Sequence, residues 1–274
     1  MPELAEVETL KRYLKQHIVG EEIISYGQYR NNLRYELDPA LRTQTVGTVI
    51  TGVERRAKYL NIYLDNENII TYHLGMSGRL TIQPKEYIAA KHDHIIIWLK
   101  NNKQLVFNDA RRFGMVYICS AQSLARQKFM CSMSLEPFDE EFNIDYLQNK
   151  LRNKKIAIKL AITDNKIVVG VGNIYAAESL FAARIHPLKP AGELTSNEIE
   201  LLIKSIQKVL SDAIESGGTT LKDFVGGDNK PGYFKQKLAV YARYGMLCIS
   251  CEFNIEKIKQ SGRTTFFCPN CQKQ

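Results

Sequence analysis

The chain opens with apolar residues at three- and four-residue steps: Leu4, Val7, Leu10, Leu14 and Ile18. That spacing puts them on one face of an amphipathic helix. Pro2 fits the first helical position, where a missing N–H costs nothing. Glu3 and Glu6 suit the positive end of the helix dipole. From about residue 22 to 119 the pattern becomes β. TVGTVITGV, KYLNIYL, NIITYHL, RLTIQ, HDHIIIWLK, KQLVFND and GMVYIC are short, β-branched or aromatic segments. Asp65-Asn66 and Asn101-Asn102 fall where hairpin turns belong. Seven or eight closely spaced strands predict a sandwich or a barrel.

After about residue 135 the period becomes helical. IDYLQNKLRNKKIAIKLAIT (144–163), NIYAAESLFAARI (173–185) and SNEIELLIKSIQKVLSDAIES (196–216) each predict helix. Thr195 with Glu198 reads as a capping box, and Gly217-Gly218 as the stop of the last helix. The centre of TTLKDFVGGDNKPGYFKQKLAVY, rich in Gly, Asp, Asn and Pro, reads as a long loop. By composition it is either a functional lid or a plain surface loop. No repeat or low-complexity tract interrupts the order of helix, β region, helical region and tail.

A length of 274 residues suggests two domains with room for a small appendage. Hydrophobic residues at 45% and charged residues at 24% exclude a disordered, collagenous or coiled-coil chain. No apolar run approaches the ~18–20 residues of a membrane span. The acidic, amphipathic start does not resemble a secretory signal. The expectation is a soluble, cytoplasmic protein. The formal net charge of +8 admits a polyanionic partner without requiring one. Its location says more, since residues 235–274 carry seven basic residues against two acidic ones.

Cys248, Cys251, Cys268 and Cys271 in that tail read C-x2-C, sixteen residues, C-x2-C, a tetrahedral zinc spacing. Between the pairs, the later alternation and Ser261-Gly262 predict a β-hairpin. So short a segment builds no core of its own, and a structural zinc supplies the missing folding energy. Cys119 and Cys131 are expected to be small buried hydrophobes. Arg263, late in the basic hairpin, is either a solvated surface charge or a residue that holds a phosphate.

The amino terminus offers chemistry of a different kind. Removal of Met1 would leave Pro2 with a free secondary amine, and an α-amino group of ordinary pKa, about 7.7–8.0, has a useful neutral fraction near neutrality. Attack on an aldehyde-level carbon then gives a cationic iminium, an electron sink. Glu3 is placed to move protons. Taken alone, proline at position 2 says little.

Other segments add to it. MPELAEVET, RRAKYL (55–60), HLGMSG (73–78), NDARRFG (108–114), VGVGNIYAAESLF (169–181), GGTTLKDF (217–224) and GRTTFFCPNCQ (262–272) follow one another along nearly the whole chain. Together they resemble the formamidopyrimidine-DNA glycosylase family of bacterial enzymes, which excise oxidised purines. Ala5 stands where the family's PELPEVE motif has its second proline, a change that removes no reactive group.

The resemblance implies an α+β multidomain fold. An N-terminal catalytic helix and β-sandwich would span 1–134, a helix–two-turn–helix domain 135–238, and a zinc β-hairpin 239–274. DNA would lie in a basic cleft between the halves with the damaged nucleotide flipped out. By the same resemblance Pro2 attacks C1′ and expels the base, Glu3 serves as acid and base, and Lys58 is the lysine near the lesion. Cleavage follows by β,δ-elimination, with Arg263 at the phosphate and, in the family, as proton donor for the δ step. Met76, Arg111 and Phe113 fill the emptied stack. Asp109 orients a nearby arginine. His92, Lys155 and Asn173 contact DNA, the last at a helix start suited to phosphate. The TTLKDFVGGDNKPGYF segment closes over the extruded base.

The resemblance further implies one structural zinc, a duplex DNA partner bearing oxidised bases or abasic sites, a monomer, no membrane partner, and a cytoplasmic, nucleoid-associated location. Three other readings stay open at this point. They are the sister branch acting on oxidised pyrimidines, a non-catalytic damage-binding protein on the same scaffold, and a zinc-ribbon interaction module.

Overall fold

The computed structural model describes residues 2–219 and 234–273. The chain divides into two compact units. One comprises Met1–Cys131 with the described part of Ser216–Lys235, and the other comprises Ser132–Glu215 and Gln236–Gln274.

The first unit opens on helix α1, Leu4–Ile18. Its predicted apolar face is fully buried, with Leu4, Val7, Leu10, Leu14 and Ile18 all at 0–1% exposure. Glu3 is the N-cap, so Pro2 precedes the helix instead of beginning it. The shift follows from Glu6, whose carboxylate takes the Glu3 amide and closes the first turn one residue later.

Eight antiparallel strands form two sheets. They are β1 (Ile23–Gln28), β2 (Ile50–Arg56), β3 (Tyr59–Leu64), β4 (Asn68–His73), β5 (Arg79–Pro84), β6 (Asp93–Leu99), β7 (Lys103–Asn108) and β8 (Met115–Ser120). One sheet has the order β1-β6-β7-β5 and the other β2-β3-β4-β8. Alternate residues of both sheets meet in one core: Ile95, Ile97 and Phe107 from the first, and Leu60, Ile62, Ile70, Tyr72 and Val116 from the second. Helix α1 joins that core through Val7, Leu10, Leu14 and Ile18. The result is a sandwich sealed by a helix. Short helices α2 (Ala40–Thr43) and α3 (Ala121–Leu124) complete the unit.

In the second unit α4 spans Ile144–Leu151, α5 Ile158–Ile162, α6 Asn173–Ala182 and α7 Ser196–Glu215. The single helical run expected over 144–163 is thus two helices. Asn153 adopts a left-handed φ of 59° and breaks the run. Its apolar residues keep helical spacing on each side of the break, which conceals the gap in the sequence. The Thr195–Glu198 capping box is present, with Glu198 N donating to Thr195 Oγ1 at 3.2 Å and Thr195 N to Glu198 Oε2 at 2.9 Å.

Strands β9 (Glu256–Gln260) and β10 (Arg263–Phe267) pair antiparallel. Their two-residue turn has Ser261 at φ 45° and Gly262 at φ 77°, the positive pair that matches strand twist.

Candidate active site and nucleic-acid interface

Pro2 and Glu3 lie buried at the head of α1, Glu3 at 1% exposure. Glu6 is equally buried and uses both carboxylate oxygens on backbone. Oε2 takes the Glu3 amide at 2.8 Å, and Oε1 takes the Thr219 amide at 2.7 Å. The peptide that joins Pro2 to Glu3 is therefore held in one orientation. Beyond Thr219, the expected base-covering segment lies outside the described residues through position 233.

Lys58 sits half-buried in the two-residue turn between β2 and β3, after Ala57 in the left-handed region at φ 52°. Across the ladder, Tyr59 pairs with His73. Burial, then the charges of Lys58 and Arg34, hold the His73 imidazole down to about 4, so it is neutral at pH 7. Its Nδ1 accepts the Gly75 amide at 3.1 Å. A cavity of about 530 Å³ beside these residues is lined by Tyr59, His73, Tyr117 and Phe129, with Arg34 and Lys128.

The HLGMSG and NDARRFG turns interlock. A Cβ on Gly75, at φ 62°, would lie 2.4 Å from the Phe113 carbonyl carbon. Asp109 is fully buried and binds these turns together. Its carboxylate accepts Ser77 Oγ at 2.6 Å, the Gly114 amide at 2.7 Å and the Arg111 amide at 3.3 Å. The expected arginine partner is thus the Arg111 backbone, not its guanidinium, because the acid is fully engaged inside the turn. At the tip Arg111 and Phe113 are exposed, with the guanidinium 5.1 Å from the ring centroid. Phe113 is 46% exposed and Met76 half-buried, so Phe113 is not core packing.

His92 is exposed at φ 74° just ahead of β6, whereas His94 is buried with Nε2 on the Asp109 carbonyl at 2.8 Å. Cys119 is half-buried and Cys131 exposed, not buried as expected. Cys119 faces outward on edge strand β8, and Cys131 lies in the loop that leaves the sandwich.

In the second unit Asn173 is the first residue of α6. Its amide nitrogen donates to the Thr264 carbonyl at 2.9 Å and its oxygen accepts from Lys159. Asn173 thus ties α5, α6 and β10 together, one residue from Arg263, which is exposed beside the hairpin turn. Lys155 is exposed in the link between α4 and α5. The lysine bonded to Asn173 is Lys159, at 1% exposure. The sequence signal for it was a single charge inside the apolar run IAIKLAI. Glu178 carried the same signal in YAAESLF. At 5% exposure it accepts the amides of Ala239, Val240 and Tyr241 at 2.8, 3.0 and 2.7 Å. Those bonds dock the irregular segment that leads into the cysteine cluster.

Zinc held tetrahedrally at about 2.3 Å from each sulfur puts the sulfurs about 3.8 Å apart. Here Cys248 and Cys271 are 3.9 Å apart, Cys251 and Cys268 3.5 Å, and Cys251 and Cys271 3.5 Å. These distances are far from a disulfide bond. The Phe253 amide holds the Cys251 thiol down to about 6, while burial and the neighbouring sulfurs push Cys268 up. Four thiolates this close need a cation. The donor set fits one structural zinc.

Three family models match in succession. They are the formamidopyrimidine-DNA glycosylase N-terminal domain over residues 1–116, the H2TH domain of the same enzymes over 133–225, and the zinc finger found in FPG and IleRS over 243–274. A formamidopyrimidine-DNA glycosylase of Rickettsia conorii is 53% identical over 272 residues, covering 99% of both chains. The Rickettsia bellii protein of the same name is 53% identical over 100% of both. The chain belongs to the formamidopyrimidine-DNA glycosylase family. Among solved structures, a Lactococcus lactis Fpg variant bound to Fapy-dG-containing DNA superposes with a TM-score of 0.93 at 33% identity, covering both chains fully. MutM bound to DNA with carbocyclic 8-oxo-G gives 0.92 at 34% identity, also over both full chains. The glycosylase motif's missing proline is Ala5, fully buried within α1. Among the described residues, no helix is long and apolar enough to cross a membrane.

Proposed function

We propose that the chain is a base-excision-repair glycosylase that removes oxidised purines from duplex DNA and then cleaves the strand at the abasic site. The observation that carries this reading is the Pro2–Glu3 head of α1, buried and pinned by Glu6 within the family's own motif. With Met1 removed, the Pro2 nitrogen attacks C1′ and the N-glycosidic bond breaks, releasing the base. Opening of the sugar ring, assisted by Glu3, yields the iminium. That electron sink acidifies the C2′ proton, whose loss expels the 3′ phosphate by β-elimination. A δ-elimination expels the 5′ phosphate, and water then returns the amine.

Lys58 serves as proton donor and phosphate contact at the lesion. Arg263 contributes a phosphate contact more than a proton, because guanidinium barely gives one up. Phe113 and Met76 take the space the base leaves, and Arg111 pairs with the orphaned base. His92, Lys155 and Asn173 hold the backbone, and the zinc fixes the hairpin that presents Arg263. The chain works as a monomer.

Borohydride trapping tests the chemistry. The processed chain should give a covalent adduct with 8-oxoguanine or abasic-site duplex through Pro2. Undiminished trapping by a chain that retains Met1 would make Pro2 the wrong nucleophile. A lesion panel separates purine from pyrimidine preference.

A further inference from the structure

Glu8 lies in the second turn of α1 with its carboxylate 9% exposed, and three cations converge on it. Arg55 Nε donates to Oε2 at 2.9 Å, while Arg12 Nε at 3.0 Å and Lys11 Nζ at 2.9 Å share Oε1. Burial pushes this carboxyl up, but Lys11, Arg55 and Arg12 outweigh it and leave it below the usual range. Arg12 and Lys11 belong to the same helix. Arg55 belongs to β2, its side chain is 10% exposed, and it has a second partner. Its Nη1 donates to the Ala57 carbonyl at 3.1 Å. That oxygen belongs to the peptide joining Ala57 to Lys58, in a turn that a non-glycine residue enters at φ 52°.

One planar side chain thus grips the helix that begins with Pro2 and Glu3, and also the backbone from which Lys58 departs. We propose that Arg55 is a positioning residue for Lys58, holding the lysine's turn in register with the helix that presents Pro2. The inference rests on the repair reading above, since it needs both groups to act on one nucleotide. Lysine does not replace arginine here. An ammonium on a flexible stem lacks the rigid fork that reaches a carboxylate and a carbonyl in fixed directions. Nor does loss of Arg55 orphan the buried carboxylate, because Glu8 keeps Arg12 and Lys11. A displaced reacting group costs rate more than affinity.

The test is single-turnover cleavage and borohydride trapping of an abasic-site duplex by the full, zinc-loaded, processed chain. Four proteins are compared: wild type, Arg55→Lys, Lys58→Gln and the double variant. Arg55→Lys is expected to lower the rate constant about 10- to 100-fold with DNA affinity held, the scale set by small misplacements of reacting groups. In the Lys58→Gln background the same change is expected to cost nothing further, because its effect is already gone.

Wild-type rate in Arg55→Lys overturns the inference, as does an equal loss in both backgrounds, which marks a general structural role. Should Arg55→Lys fail to fold, Glu8→Gln asks the question from the helix side. It is expected to give a smaller loss that also vanishes in the Lys58→Gln background, and persistence there overturns the inference. A wild-type chain inert toward this DNA overturns the repair reading together with this one. An active wild type with an unaffected Arg55→Lys overturns this one alone.

Discussion

Glu178→Ala should unhinge the zinc hairpin from the helical unit. The carboxylate accepts three successive amides, Ala239, Val240 and Tyr241, within 2.7–3.0 Å. Hydrogen bonds to a charged group contribute about 1.5–3 kcal/mol each. Truncation strands three donors in a largely closed site, offset by no longer desolvating a carboxylate and by water that enters the gap. The net loss is about 3–5 kcal/mol, a large part of the ~5–15 kcal/mol typical of a whole domain. Glu178→Gln keeps one acceptor oxygen and turns an N–H₂ against an amide, for a loss of about 2 kcal/mol.

The assay is urea unfolding followed by tyrosine near-ultraviolet circular dichroism, with zinc release timed by a chromogenic chelator. Trp98, the only tryptophan, lies in β6 of the sandwich and gives an internal control. The hairpin should release zinc sooner while Trp98 emission holds its midpoint. A loss below about 0.5 kcal/mol, within the range of an ordinary surface change, would refute the reasoning. So would zinc release at the wild-type rate.

Other consequences can be measured alongside. His73 binds its proton less readily folded than unfolded, so its neutral form stabilises the fold above pH 6.5, and that contribution is lost as pH falls toward about 4. Urea midpoints of the wild type should therefore drop between pH 6.5 and 4 more steeply than those of His73→Gln, and parallel curves would count against it. Chelation or Cys268→Ala should abolish binding to lesion duplex while Trp98 emission stays native, and unchanged affinity would remove the hairpin from the interface. Thr195→Ala should cost about 1 kcal/mol by removing the cap of α7, read as a lowered urea midpoint of the second unit.

Much of this was legible in the chain. The three- and four-step spacing of α1 gave the helix, because one face meets a core and the other does not. All seven quoted β segments contain a strand, since β-branched and aromatic residues suit a pleated, buried surface, although TVGTVITGV becomes strand only from Ile50. Strand β1 was harder to see, as IISYGQ carries Gly27 and polar residues on an edge. The pairing of β6 with β1 and β7 was not legible, because alternation gives a strand's two faces and says nothing of its neighbours. The four zinc cysteines were legible from spacing alone. Lys159, Glu178 and Arg55 were not, because their significance lies in partners 14 to 63 residues away, or on another element. Lys155 was singled out by the family resemblance alone, and Lys159, the lysine bonded to Asn173 at the start of α6, lies outside the motifs that carried that resemblance.

The contact of Gly75 with the Phe113 backbone, where not even a methyl group fits, joins two distant stretches of chain into a single stiff tooth. Neither Met76 nor Phe113 can be re-aimed by bending its own loop, since each loop is the other's backstop. Any change in what this tooth presents to its surroundings must come from exchanging the side chains it carries.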